Sequence, residues 1–289
     1  MSLQWGGGPV VVEPKFLDGS VGRLFSVLHR PGPGQPALRG SVLCLQGFNE
    51  EMNRCRSMVT LQAQAFAARG LATLVLDLTG TGDSEGDHGD ARWELWQADV
   101  RCALRHLLHL QAPVQVIWGV RLGAILAAQM GAEVPNADLL LWQPVLDGKI
   151  HLTQFLRVRM AAQLDRPDLP KETTQSMRAL LSQGDTLEVA GYALHPQLTA
   201  VLDGLKLAAY QPLQNNRVLW VEQASADKQE LSAPNQALVN AWQQAGVKVD
   251  GQAYIGPAFW QVHERAVAPD LLEKTCAWMN SAAEALVSA

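Results

Sequence analysis

The chain has 289 residues, 48% of them hydrophobic and 18% charged, with a formal net charge of -5. That supports one large α/β domain, with or without a small insertion. The scattered lysines and arginines exclude a nucleic-acid surface, and no apolar run approaches the roughly 18 residues of a membrane span. Four separated cysteines (Cys44, Cys55, Cys102 and Cys276) form no CxxC pair, so neither disulfides nor a zinc site is implied. The start Met1-Ser2-Leu3-Gln4-Trp5 lacks the basic-then-apolar order of a secretory leader, so a cytoplasmic protein is expected.

Residues 1–40 read as a β-hairpin, with branched apolar runs at 10–12 and 24–28 separated by Asp18-Gly19 and closed by Pro31-Gly32-Pro33-Gly34. The pattern then changes. Residues 41–45 are continuously apolar, as in a strand buried on both faces of a parallel sheet. A helix over 58–69 follows, with Gly70 as its stop signal. Next come a strand over 71–78, an amphipathic helix over 90–110, a strand over 114–118, a helix over 122–130 and a strand over 139–142. This alternation predicts a mostly parallel, doubly wound sheet.

After Pro144 the rhythm breaks. Residues 151–164 and 171–181 read as helices with no strand between them, punctuated by Pro167 and Pro170. Residues 150–212 are therefore expected to be a helical cap inserted in a core made of residues 1–149 and 213–289. The alternation resumes with a strand over 217–221, a helix over 234–245, a strand over 247–254 and a final helix over 269–287.

Ligands of such sheets sit at the carboxyl ends of the strands. The strongest signal there is Gln115-Val116-Ile117-Trp118-Gly119-Val120-Arg121-Leu122-Gly123-Ala124: a buried strand, Gly-x-x-x-Gly, then a helix that starts on small residues. Two glycines let the chain turn sharply and hold the middle residue at the top of the sheet, the geometry of a nucleophile elbow. Gly82-Asp83-Ser84-Glu85-Gly86 fits Gly-x-Ser-x-Gly letter for letter, but Ser84 lies six residues beyond Leu78 and no small-residue helix follows, so a loop is expected.

Asp77-Leu78-Thr79-Gly80-Thr81-Gly82-Asp83-Ser84 resembles the loop after the fourth strand of α/β hydrolases, and Gln46-Gly47-Phe48 resembles their His-Gly-x oxyanion loop, with glutamine for histidine. Residues 40–130 thus resemble the α/β-hydrolase superfamily. Phe48-Asn49-Glu50-Glu51-Met52-Asn53 and the Trp-Gly-x-Arg-x-Gly elbow are similar to the hydrolase-like proteins associated with the exosortase A system. That resemblance implies an α/β-hydrolase fold and a link to exopolysaccharide loci and protein sorting.

The superfamily triad implies a nucleophile at the elbow, an acid after the strand near residue 221 and a histidine after Ile255. Here the elbow holds Arg121, which has no lone pair for attack. Asp227 stands near the acid position, with Asp147 as an alternative. Residues 256–260 contain no histidine, and His263 falls late. Serine hydrolysis at the elbow is not expected. Arg121 either clamps a ligand anion or pairs with Glu50 or Glu51, and Leu122, Gly47, Phe48, Asn49 and Trp260 complete the expected binding site. The rival is an enzyme using Glu50, Glu51, Asp227 and His263, if these converge. The third reading is a non-catalytic partner protein. Cys55 reads as core; His106 and His109 share a helix face without a third ligand; Trp118, Trp142 and Trp260 lie near strand ends, for packing or for stacking on sugar rings. No cofactor or metal is expected, and the partner expected is a small anionic or carbohydrate-derived molecule.

Overall fold

The computed structural model describes residues 9–110, 112–163 and 171–287, and side chains to residue 280. Eight strands form one sheet: β1 (Val10–Asp18), β2 (Arg23–Pro31), β3 (Gly40–Leu45), β4 (Leu71–Leu76), β5 (Val114–Val120), β6 (Asp138–Trp142), β9 (Arg217–Ala224) and β10 (Lys248–Ile255). Two further short strands, β7 (Leu187–Val189) and β8 (Tyr192–Leu194), pair only with each other. The sheet order is β1-β2-β4-β3-β5-β6-β9-β10. β1 and β2 pair antiparallel, as do β2 and β4, while every pair from β4 to β10 is parallel. The central strands β3 and β4 are buried at every position, which is why their sequences are unbroken apolar runs.

Helices cover both faces. On one face α1 (Glu50–Ala67) and α8 (Pro269–Val287) pack Cys55, Met58, Phe66, Leu271, Leu272 and Trp278 against Val116, Trp118 and Val120 of β5. On the other, α2 (Trp93–His109), α3 (Gly123–Gly131) and α7 (Ala233–Gln244) pack against Ile117 and its neighbours. The alternation of Val116, Ile117 and Trp118 between the two clusters is the period of two of a strand.

Between β6 and β9 lie α4 (Gly148–Ala162), α5 (Thr174–Gln183), the β7–β8 hairpin and α6 (Pro196–Gly204). One correction to the sequence reading arises here. The segment is not purely helical: residues 187–194 form a hairpin through Ala190 (φ 52°) and Gly191 (φ 84°), the doubly left-handed turn that suits strand twist. The segment also shares one hydrophobic cluster with α2 and α3, through Leu152, Leu156, Met177 and Leu198. Part of the predicted helix over 151–164 and of the stretch to Pro170 lies outside the described residues.

The second correction is α1, which begins at Glu50 rather than residue 58. Its first two turns, Glu50-Glu51-Met52-Asn53-Arg54-Cys55-Arg56-Ser57, carry only Met52 and Cys55 on the buried face, too sparse an apolar pattern to read as helix. Two acidic residues in the first turn favour a helix start, because the amino end of a helix carries partial positive charge. Among the described residues, no helix is long and apolar enough to cross a membrane.

Candidate active site

The turn from β5 into α3 is built by its glycines. A Cβ at Gly119 would lie 2.4 Å from the Ala124 Cα, and one at Gly123 would lie 2.3 Å from the Leu45 carbonyl oxygen and 2.4 Å from that of Gln46. Only glycine lets α3 approach the end of β3 so closely. Between them Arg121 takes φ 55°, a left-handed conformation that side chains disfavour. Its N–H donates to Trp142 O (3.0 Å), and its carbonyl accepts from Ala124 (3.1 Å). Two neighbouring strand ends are strained in the same way: Asn49 after β3 (φ 53°) and Gln143 after β6 (φ 44°).

The Arg121 guanidinium is held on three sides. Nε (2.9 Å) and Nη2 (2.8 Å) both meet Oε1 of Glu51, Nη1 donates to Gln143 O (3.1 Å), and the Trp260 ring lies 5.2 Å from the guanidinium carbon. The two side chains are 13% and 18% exposed, so the pair is largely desolvated. Removing one partner strands the other charge, at a cost of about 3 kcal/mol. Glu51 reaches the site because α1 starts one residue earlier, with its second residue facing the elbow. Its other oxygen, Oε2, is buried without a hydrogen bond and lies 3.7 Å from Nε2 of His151, from the first turn of α4. Burial lowers the His151 pKa, with Arg121 acting in the same direction and Glu51 opposing, so the ring is neutral at neutral pH.

A cavity of about 320 Å³ opens over this group, lined by Arg121, Glu51, His151, Phe48, Phe155 and Trp260 among others. Glu50 and Arg54 lie on the same rim. Glu50 accepts from Tyr192 OH (3.1 Å) of β8, which ties α1 to the inserted segment. His88 makes a second tie: its Nδ1 lies 2.7 Å from Ala193 O and its Nε2 2.6 Å from Asn49 Oδ1. Burial lowers the His88 pKa.

Beside Phe48 lies a second, water-sized space of about 20 Å³, lined by Gly47, Phe48, Leu122 and Gly123. The Phe48 and Leu122 N–H groups have no acceptor among the described residues. These are the two positions that form an oxyanion hole in a fold of this kind. Gln46, which also lines this space, donates its side-chain N–H to Asp77 Oδ1 (2.7 Å).

The structure thus brings together Arg121, Glu51, Glu50, Phe48 and Trp260, with Gly47, Asn49 and Leu122 adjacent. It does not bring in the other candidates. Asp227 is exposed in the loop after β9 and does not line the cavity. His263 is exposed, with its Nε2 3.5 Å from Arg54 Nη2, outside the cavity. The loop after β10 delivers Trp260 to the elbow instead, because Phe259 anchors it on Trp142 (6.2 Å between rings). Asp147 caps α4 through Ile150 N (3.1 Å) and pairs with Lys206. Cys55 is buried, which pushes its thiol pKa far up. Trp118 and Trp142 are fully buried against each other, ring to ring at 4.5 Å, out of reach of any sugar. His106 faces Lys15 Nζ at 3.0 Å. Among the described residues no group of three or more His, Cys, Asp or Glu is placed to hold a metal. His151 escaped the sequence reading because one histidine in a helix of an insertion gives no sign of what it faces.

Ser84 is a structural residue. Its Oγ donates to Asp77 O (2.7 Å) and accepts from Phe25 N (2.8 Å), fastening β2 to the loop after β4.

Residues 36–198 match the model of the serine aminopeptidase S33 family of hydrolases, over half of the chain. The chain belongs to this family. Its fold is the α/β-hydrolase fold, shared with solved esterases. Est1E from Butyrivibrio proteoclasticus, solved with ferulic acid bound, superposes with a TM-score of 0.64 at 15% identity, covering 92% of this chain and 98% of that one. A thermostable carboxyl esterase from Bacillus coagulans, solved with glycerol, gives 0.58 at 14% identity over 95% and 99%. The esterase domain of a Rhodothermus marinus protein gives 0.55 at 16% identity over 93% and 97%. No curated protein matches the chain by sequence.

Proposed function

We propose that this hydrolase-family chain binds a small hydroxylated or carboxylated ligand, of the kind derived from carbohydrate, in the cavity over Arg121, and that it does not run a serine mechanism. The observation that carries this is Arg121 itself: it fills the turn from which a serine hydrolase presents its nucleophile, and it is locked to Glu51 beneath Trp260. The rim pairs two carboxylates, Glu50 and Glu51, with two guanidinium groups, Arg54 and Arg121. Such a rim offers both acceptors and donors, as hydroxyl groups require, while Phe48, Phe155 and Trp260 offer flat apolar surface for a sugar ring. Residues 150–212 act in this reading as a cap over the cavity. The similarity of residues 48–53 and of the elbow to the exosortase A-associated proteins supports an exopolysaccharide source for the ligand and a cytoplasmic site of action.

The test has two parts. A fluorophosphonate probe should label no residue, and titration with uronic acids and neutral sugars should change tryptophan emission in the wild type but not in Arg121→Leu. Labelling of Ser84 would overturn the assignment of the elbow, and equal binding by Arg121→Leu would overturn the assignment of the cavity. Arg121→Ser alone should gain no esterase activity, because Trp260 stands where the triad histidine is needed.

A further inference from the structure

Glu51 uses one oxygen for Arg121 and leaves the other unsatisfied. A buried carboxylate oxygen without a donor is costly and uncommon. His151 Nε2 lies 3.7 Å from it, just beyond hydrogen-bond range. The His151 ring makes no hydrogen bond among the described residues, although the residue, 7% exposed, lines the cavity. A neutral imidazole has one N–H and one lone pair. The tautomer that satisfies Glu51 carries its proton on Nε2, which leaves the Nδ1 lone pair free. Arg121 fixes the carboxylate, and the carboxylate fixes the tautomer: this is the arrangement of an oriented general base. The residues come from α1 and α4, and neither lies where the family triad has its histidine. Phe48 and Leu122, whose N–H groups have no acceptor among the described residues, both line the small second space, and Phe48 lines the cavity as well.

We propose that His151, held by Glu51, activates water for direct attack on a carboxylic ester bound in this cavity, with the Phe48 and Leu122 N–H groups holding the oxyanion. The proposal rests on the reading of the cavity as the ligand site, and it adds a reaction to it. Water gives a proton to His151 Nδ1 as its oxygen bonds the carbonyl carbon, and the carbonyl electron pair moves to the oxygen between the two N–H groups. Collapse re-forms the carbonyl, breaks the carbon–oxygen bond to the alcohol, and returns the proton from the imidazolium to the leaving alkoxide. Ester and water become acid and alcohol, the histidine is regenerated, and no acyl group is ever attached to the protein.

The experiment measures p-nitrophenyl acetate hydrolysis by the full chain, by His151→Gln, His151→Ala and Glu51→Gln, with melting curves for each. Wild-type turnover should persist after fluorophosphonate treatment. His151→Gln should lower kcat by roughly 10²–10³-fold with little change in KM, and added imidazole should restore part of the His151→Ala loss. Glu51→Gln, a positioning change, should lower kcat less and should not respond to imidazole. A folded His151→Gln variant with wild-type kcat overturns the proposal, as does a wild type with no turnover, or turnover abolished by the serine probe. Sugar-acid binding measured on the same samples separates the two readings: binding without turnover defeats this inference and leaves the ligand site standing.

Discussion

Two five-residue segments of this chain begin and end in glycine, and they divide the features of a serine-hydrolase site between them. Residues 82–86 hold the serine and lie in a loop, where Ser84 ties two backbone segments together. Residues 119–123 hold no serine, yet a buried strand enters them and a helix leaves them, with the middle residue in a left-handed conformation. The difference shows that the elbow is made by close approach of backbone to backbone, not by the letters of a motif. In the first segment, a Cβ at Gly86 would come no closer than 3.4 Å, to the Thr79 methyl, and the close neighbours of one at Gly82 are side chains of Asp77 and Arg56. In the second, a Cβ at Gly123 would collide with two carbonyl oxygens.

That contrast can be broken most sharply by adding one methyl group to each segment. Gly123→Ala should cost about 3 kcal/mol or more, because carbonyls of a buried strand end must move. Gly86→Ala, strained only by its φ of 92°, should cost about 1 kcal/mol. Urea unfolding midpoints of the two variants would measure the gap, and equal losses would mean that the elbow is not closely packed.

A smaller effect sharpens the role of the serine. Ser84→Ala leaves the Phe25 N–H without its acceptor and should destabilise the fold by about 1–3 kcal/mol. Ligand titrations of the same variant should match the wild type, since Ser84 lies outside the cavity. A loss of binding with unchanged stability would reverse the assignment of the two segments.

The parts of this architecture that were legible in the sequence are those decided locally. Strands β3 to β6 announce themselves as short, predominantly apolar runs, and α8 begins at the proline that suits a first turn. The β7–β8 hairpin also had a local signal: Leu187, Val189, Tyr192 and Leu194 alternate around Ala190-Gly191. Strands of three residues are too short to stand out beside the helices that flank them. The site was legible only in part. Arg121 and Trp260 could be placed because they follow strands, whereas Asp227 and His263 sit near the right positions on loops that lead them to solvent. The Glu51 pairing needed the start of α1, which polar residues concealed, and His151 needed the packing of α4 over the sheet. Both are properties of the assembled chain.

The smallest expected effect concerns protons. Burial lowers the pKa of His29, His88 and His151 below the ordinary value of 6.5. Below that value the unfolded chain binds protons that the folded chain refuses, so acid favours unfolding. Stability should therefore be level above about pH 7, fall as pH drops through 6.5, and level again once the folded-state values are passed. Melting temperatures taken from pH 7.5 to 5 would show the slope, and His151→Gln should make it shallower. A slope unchanged in that variant would mean that the ring at the site is as accessible to protons as one in water.

The left-handed residues Asn49, Arg121 and Gln143 lie in the turns that follow three adjacent strands, Asn49 at the start of α1 and the other two directly after β5 and β6. Each costs the fold about 1 kcal/mol or more that a glycine would not. Selection for heat resistance alone should therefore erode this floor first, exchanging these side chains for glycine while leaving the sheet intact. Side chains that survive such selection are the ones binding requires, so a library screened once for stability and once for ligand would separate the load of the scaffold from the demands of the site.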